Sequence, residues 1–147
     1  MTLDRSECFG PCPIYSISIH GDGTVIYHGK KYVSVVGKRV HKIPVDDVRK
    51  LIDEFNKLGY FSLKDEYTQV VNADGSITHV SDLPGTTTSI KIKRRKKTVY
   101  NYFGGPEALR KLERKIDEIS QSARYVRRIS SRTRVVLSSS SARLVPA

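Results

Sequence analysis

Ile14-Tyr15-Ser16-Ile17-Ser18-Ile19-His20 alternates apolar and small polar residues with a period of two, and this stretch decides the fold class. Side chains of a β-strand point to opposite faces in turn, so strict alternation marks a strand with one face buried and one face wet. Gly21-Asp22-Gly23 interrupts the pattern, and Thr24-Val25-Ile26-Tyr27-His28 resumes it in β-branched and aromatic residues. The two runs read as a hairpin whose turn holds residues that tolerate positive φ. Gly29-Lys30-Lys31 reads as a second turn, and Tyr32 to Val36 and Arg39 to Ile43, separated by Gly37-Lys38, read as two more short strands that complete an antiparallel meander.

Downstream the period changes. After Pro44, the residues Val45, Val48, Ile52 and Phe55 recur at spacings of three and four, Leu51 and Leu58 widen the apolar stripe, and Gly59 stands where a helix would end. Tyr60 to Tyr67 is aromatic and partly extended, suited to packing under that helix. Asn72 to Ser76 reads as a turn and Ser81 to Gly85 as a loop. Alternation returns in Thr86 to Lys93 and in Thr98 to Phe103, which predicts a hairpin turning through Arg94-Arg95-Lys96-Lys97. Gly104-Gly105-Pro106-Glu107 then opens a second helix, with Leu109, Leu112, Ile116 and Ile119 on one face. Arg110, Lys111, Glu113, Arg114, Lys115, Asp117 and Glu118 are expected to cover the other face. The predicted fold is α+β, an antiparallel sheet made of the meander and the later hairpin, with two amphipathic helices packed on it.

The chain has 147 residues, 38% hydrophobic and 28% charged, with no Trp, which describes one rather polar globular domain with its own core. No run approaches the 18 or so apolar residues of a membrane span. Met1 to Glu7 carries acids and no apolar core, so it does not read as a secretory signal, and on this reading the chain is cytoplasmic. The formal charge is +11. Six cations (Lys91, Lys93, Arg94, Arg95, Lys96 and Lys97) fill one stretch of seven residues, and six more (Arg124, Arg127, Arg128, Arg132, Arg134 and Arg143) lie in the acid-free last 25. Without those twelve the body carries −1, so the basicity belongs to one cluster and one tail. Residues 1–122 are expected to form the domain, and 123–147, rich in Arg and Ser, a disordered tail. Tyr125, Val126, Val135, Val136 and Leu137 leave room in it for a short docked strand or helical turn.

Cys8-Phe9-Gly10-Pro11-Cys12-Pro13 holds the only two cysteines. A Gly-Pro turn can bring their Cα atoms within the roughly 4.4 to 6.8 Å of a disulfide, so a structural disulfide, a pair of reduced thiols, a redox site and a metal site are all considered. The redox reading is disfavoured because the spacing is one residue longer than Cys-x-x-Cys and a strand follows. The metal reading is disfavoured because His20, His28, His41 and His79 have no paired spacing, so no metal ligand set and no cofactor is assigned. Asp22 with His20 and His28 reads as a polar turn, and Gly21-x-Gly23 precedes a strand rather than opening a helix, so it is not a phosphate loop. No catalytic residue is assigned. Asp65, Tyr67 and Asp82, near Thr86 to Thr88, are candidates for a ligand site or, in the case of Asp82, for a turn cap. The basic hairpin, with Tyr100, Tyr102 and Phe103 on its return strand, has the mix of cations and aromatics of a nucleic-acid or other polyanion binder, or equally of a solvated turn that protects a sheet edge.

Cys8 to Tyr15, Gly21 to Gly29, Gly59 to Tyr67, Asp82-Leu83-Pro84, and Gly104-Gly105-Pro106-Glu107-Ala108-Leu109 with Leu112-Glu113 and Ile116-Asp117 resemble an uncharacterised prokaryotic family, domain-of-unknown-function family six-four-three-eight. The resemblance runs in order from Cys8 to Ala123, and the Cys-Phe-Gly-x-Cys-Pro-x-Tyr motif makes it fairly specific. It implies no established activity or cofactor. Some members of that family look exported or lipid-anchored, which would favour an extracytoplasmic location and an oxidised Cys8 and Cys12. The chain departs from the family pattern in its lack of a signal, its longer stretch between Tyr67 and Asp82, and its Arg-Ser tail. The functional expectation is a small non-catalytic binding or structural module, with a nucleic-acid-binding module and a thiol-redox or metal protein as alternatives. An edge strand is a candidate route to a homo-oligomer.

Overall fold

The computed structural model describes residues 1–127. In chain order, strands β1 (Thr2–Arg5), β2 (Ile14–Ile19), β3 (Thr24–Lys31) and β4 (Gly37–Lys42) come first. Helix α1 (Val45–Leu58), a 3-10 turn over Tyr60–Ser62, β5 (Glu66–Tyr67), β6 (Val70–Val71) and β7 (Ile77–Thr78) follow. The described chain closes with β8 (Thr86–Ile92), β9 (Arg95–Asn101), α2 (Glu107–Ser120) and the short α3 (Ala123–Val126). Seven strands form one sheet in the order β4-β3-β2-β1-β8-β9-β5, in which only β5 and β9 run parallel. β6 and β7 make a separate small hairpin. The architecture is α+β, as the periodicity predicts.

Alternation sorts the sheet into two faces. Leu3, Ile17, Tyr27, Ile90 and Val99 point to one side and join Leu51 and Phe55 of α1 and Leu109, Leu112 and Ile116 of α2 in a single core. α1 ends where Gly59 takes φ 71°, a left-handed conformation that glycine enters without a Cβ penalty, and its N–H closes onto the carbonyls of Phe55 and Asn56. β1 lies at the centre of the sheet: Leu3 pairs with Ile17 on one side and with Thr88 on the other, and is fully buried. β1 therefore joins the N-terminal meander to the β8–β9 hairpin. Its one apolar side chain gives no periodic signal, which is why the sequence pattern passes over it.

Three local expectations are corrected. Gly29-Lys30-Lys31 is not a turn but the end of β3. A Cβ at Gly29 would stand 2.1 Å from the Val35 carbonyl oxygen and 2.3 Å from the Tyr27 hydroxyl, so the glycine serves close approach rather than chain reversal. Tyr32 to Val36 is a loop, not a strand, because the Ser34 and Val35 N–H groups donate to Val126 and Tyr125 of α3 at 3.4 and 2.9 Å. The second hairpin turns through Lys93, at φ 55°, and Arg94, while Arg95 pairs with Ile92 inside β9.

Ala123–Val126, at the start of the stretch assigned to the tail, forms α3. Tyr125 stacks on Tyr27 with ring centroids 4.6 Å apart, and its hydroxyl meets His41 Nδ1 at 2.9 Å. The rest of the tail, residues 128–147, lies outside the described residues. The sheet edges are β4, which exposes Lys38, Arg39 and Lys42, and the two-residue β5; short or cationic edges discourage strand addition.

If β1 bridges the halves of the sheet, Leu3→Ala should cost about 2–5 kcal/mol, as large-to-small changes in a tight core do. Urea unfolding followed by circular dichroism measures it, and a loss under about 1 kcal/mol would contradict the bridging role of β1.

Candidate functional site

Arg5 ends β1 on the helix side of the sheet, two residues from Leu3. There its Nη2 donates to Asp117 Oδ2 of α2 at 2.6 Å and its Nη1 to Thr86 Oγ1 of β8 at 2.9 Å. Tyr15, the register partner of Arg5 in β2, donates its hydroxyl to Asp117 Oδ1 at 2.7 Å, and Ser122 Oγ donates to the same oxygen at 2.7 Å. One carboxylate thus gathers donors from β1, β2 and the segment before α3. Burial works against the Arg5 charge, but Asp117 outweighs it and holds the guanidinium above its usual value. Burial, reinforced by the Asp117 charge, pushes the Tyr15 phenol far above its ordinary range.

Beside Arg5 a pocket of about 470 Å³ opens between the ends of β1, β8 and β9 and the start of α2. Its floor carries Glu113, one helical turn before Asp117 and only 5% exposed, which accepts a hydrogen bond from Asn101 Nδ2 at 2.8 Å. Burial raises the Glu113 carboxyl above the usual glutamate value, against the opposing pull of the Asn101 hydrogen bond and of Arg5, Arg110 and Arg114. Leu83, Pro84, Tyr102 and Phe103 form the walls. At the rim, Arg110 is held by Glu107 at 2.9 Å and by the Gly105 carbonyl at 2.8 Å. A Cβ at Gly105 would stand 2.4 Å from Asn101 Oδ1, so a side chain there would push that buried amide off its place. Apolar walls with a few convergent polar groups are the usual make-up of a small-molecule site. A second cleft, of about 450 Å³, lies on the far side of Asp117 and is lined by Pro13, Tyr15, Ser122 and Val126.

The residues singled out by sequence are placed apart from one another. Cys8 and Cys12 form a disulfide with Cα atoms 5.8 Å apart, and the stapled loop leaves Phe9 85% exposed. Asp82, at φ 65°, is bound to that loop through its backbone, its carbonyl accepting the Phe9 N–H at 3.2 Å. Asp65 instead pairs with Lys97 Nζ at 2.7 Å, and the Tyr67 hydroxyl accepts the Lys64 N–H at 3.1 Å, so Asp65, Tyr67 and Asp82 share no partner. Asp22 accepts the Thr24 N–H at 2.9 Å, which makes it a turn former.

The basic hairpin divides. Lys97 reaches the Leu63 carbonyl at 2.6 Å and Arg95 lies over the Phe61 ring at 3.9 Å, so both serve the fold, while Lys91, Lys93, Arg94 and Lys96 are exposed. Among the described residues no group of three or more His, Cys, Asp or Glu stands close enough to hold a metal ion, and no helix is long and apolar enough to cross a membrane.

The sequence pattern assigned Glu113 and Asp117 to the wet face of α2 and did not single out Arg5. Glu113 is buried and Asp117 half-buried, because Arg5, Tyr15 and Asn101 of the sheet hydrogen-bond to that flank of the helix. The one available signal was their i, i+4 spacing, which places both carboxylates on one side of the helix.

Much of what carries the family resemblance meets here, from Tyr15 through Leu83-Pro84 and Gly104-Gly105 to Glu113 and Asp117. A family profile described as a domain of unknown function (DUF6438) matches residues 1–120. The chain belongs to the DUF6438 family. The match takes in β1, which the sequence pattern had left out. Comparison with curated proteins and with solved structures gives no match.

Because the folded state binds the Glu113 proton more tightly than the unfolded chain, the stability this contributes is full at low pH and is lost as pH rises through the raised folded value. Glu113→Gln should therefore match the wild type below about pH 4 and gain on it toward about pH 7, read by thermal unfolding across pH. Replacing Cys8 and Cys12 by Ser should cost only about 2 kcal/mol, the entropy of so small a loop, and leave the circular dichroism spectrum unchanged.

Proposed function

We propose that this domain is a non-catalytic binding module, and that the pocket beside Arg5 holds a small ligand bearing a carboxylate or carbonyl acceptor. The observation that carries this reading is Glu113, a buried carboxyl of raised pKa facing a pocket whose other charged groups, Arg5 and Arg110, are cations. A protonated Glu113 donates a hydrogen bond, so it and the two guanidinium groups suit the same acceptor. An anionic ligand would raise the Glu113 pKa further, and binding would take up a proton.

The polar groups around the pocket are already fixed to one another, Asp117 by three donors and Glu113 by Asn101, and preorganised partners favour recognition because little ordering remains to be done on binding. The disulfide supports the same reading as a staple that holds the N-terminal segment against Asp82, beside the Leu83-Pro84 wall.

Acetate, succinate and an N-acetylated dipeptide with a free carboxylate are suitable probes. We expect saturable shifts of the Asn101 side-chain amide in NMR titrations and proton uptake in calorimetry run in two buffers of different ionisation enthalpy. Glu113→Gln should keep binding and lose the proton uptake, and Arg5→Lys should weaken binding without unfolding the domain. Absence of saturable shifts with every probe, or shifts that Arg5→Lys leaves unchanged, would overturn the assignment.

A further inference from the structure

The second face of the sheet is covered by no element among the described residues. Strand register sets its side chains in rows. One row runs Val40, Ile26, Ser18, Thr2, Ser89, Thr98, and the next Lys38, His28, Ser16, Asp4, Thr87, Tyr100. All of these side chains are exposed or half-exposed, in contrast to the buried residues that alternate with them. The middle of the face is a band of hydroxyls from Ser16, Ser18, Thr2, Thr87, Ser89 and Thr98.

Lysines stand on both sides of that band. Lys38 and Lys42 lie on β4, Lys91 and Lys96 oppose each other across β8 and β9, and Lys30 shares the outer side of β3 with His28. Among the described residues Lys30, Lys38, Lys91 and Lys96 have no ion pair, and Lys42 has one with Asp22 at 3.6 Å. Among the described residues the acids on this face are Asp4 and Glu66, with Glu7 and Asp22 at its margins. The helix side is the reverse. Lys50, Lys57, Arg110 and Lys115 are paired with Asp47, Glu54, Glu107 and Glu118 along their own helices. Among the described residues the sheet face and the adjoining Lys93-Arg94 turn thus hold a contiguous group of cations without ion pairs, whereas on α1 and α2 only Lys111 lacks one.

We infer that this open sheet face binds single-stranded nucleic acid, independently of the pocket on the opposite side. Four strand spacings of about 4.8 Å separate β4 from β8, so the two banks of lysine lie about 19 Å apart, the reach of a few nucleotides. Lysines on the rims meet phosphates, the central hydroxyls hydrogen-bond phosphate and sugar oxygens, and Tyr100 and His28 offer rings to unpaired bases. A broad sheet face touches the cylinder of a duplex along one line only, and a lipid surface provides no base for those rings. No set of base-edge contacts is fixed by these side chains, so binding is tolerant of sequence and steep in salt.

The test uses the full chain and a fluorescent single-stranded oligonucleotide of about twelve nucleotides, within the usual site size for one such domain. Anisotropy is read at several salt concentrations. Lys38→Gln, Lys42→Gln, Lys91→Gln and Lys96→Gln are combined in one variant. Lys50→Gln, Lys57→Gln, Lys111→Gln and Lys115→Gln, on the helix side, are combined in a control of equal charge. The sheet-face variant should bind at least about tenfold more weakly at low salt and lower the slope of log affinity against log salt by roughly 3, at about 0.7 per phosphate contact. The control should stay within about twofold of the wild type. Equal losses in both variants, no binding at low salt, unchanged binding by the sheet-face variant, or binding to phosphatidylserine vesicles that the oligonucleotide does not displace would each overturn the inference.

Discussion

The 2.6 Å contact between Arg5 and Asp117 fixes the central strand of the sheet to the second helix, and the pocket and the second cleft are both built against it. β1 is short and contributes one fully buried side chain, so backbone pairing with β2 and β8 positions it laterally and the ion pair anchors its end. A half-buried ion pair contributes stability only if its remaining polar atoms are satisfied. Tyr15, Ser122 and Thr86 do this, each with a hydrogen bond of 2.9 Å or less. Asp117 thereby couples four separate parts of the chain, and the pocket and the second cleft open on either side of the pair.

The sheet divides the molecule chemically as well as geometrically. On α1 and α2 every cation but Lys111 has an acid on its own helix, and on the sheet Lys97 and Arg95 have structural tasks with Leu63 and Asp65 and with Phe61. On its open side Lys30, Lys38, Lys91 and Lys96 have no ion pair among the described residues. The net charge of the chain says little about this arrangement, because it is the pairing of charges, not their number, that determines which surface carries a field. The cysteine loop adds a third element. Its disulfide closes too small a ring to contribute much stability, yet it fixes the approach of the N-terminal segment to Asp82 and so the pocket wall that follows.

Much of the fold was legible because its signals are local. Ile14 to Ile19 and Thr24 to Tyr27 could only be strands with one buried face, and Val48, Leu51 and Phe55 only the inner stripe of a helix. The misreadings occurred where distant contacts override local pattern. Gly29 looks like a turn residue, but it makes room for Val35 and the Tyr27 hydroxyl inside a strand. Tyr32 to Val36 has strand composition, but its backbone donors are taken by α3, nearly a hundred positions later in the sequence. Of the site residues, Cys8 and Cys12 were visible as a pair because only four positions separate them. Arg5, Glu113 and Asp117 were not, because their partners lie far away.

By itself, the sequence determined the class of fold, the pairing of two cysteines in one short motif and the family resemblance, since periodicity and short motifs are properties of neighbouring residues. Only the tertiary structure decided which charges are neutralised and which are left outward, and that Glu113 is buried rather than solvated. The physical reason is that burial and ion pairing depend on what the folded chain brings within a few ångströms, and for Arg5 that partner stands 112 positions away.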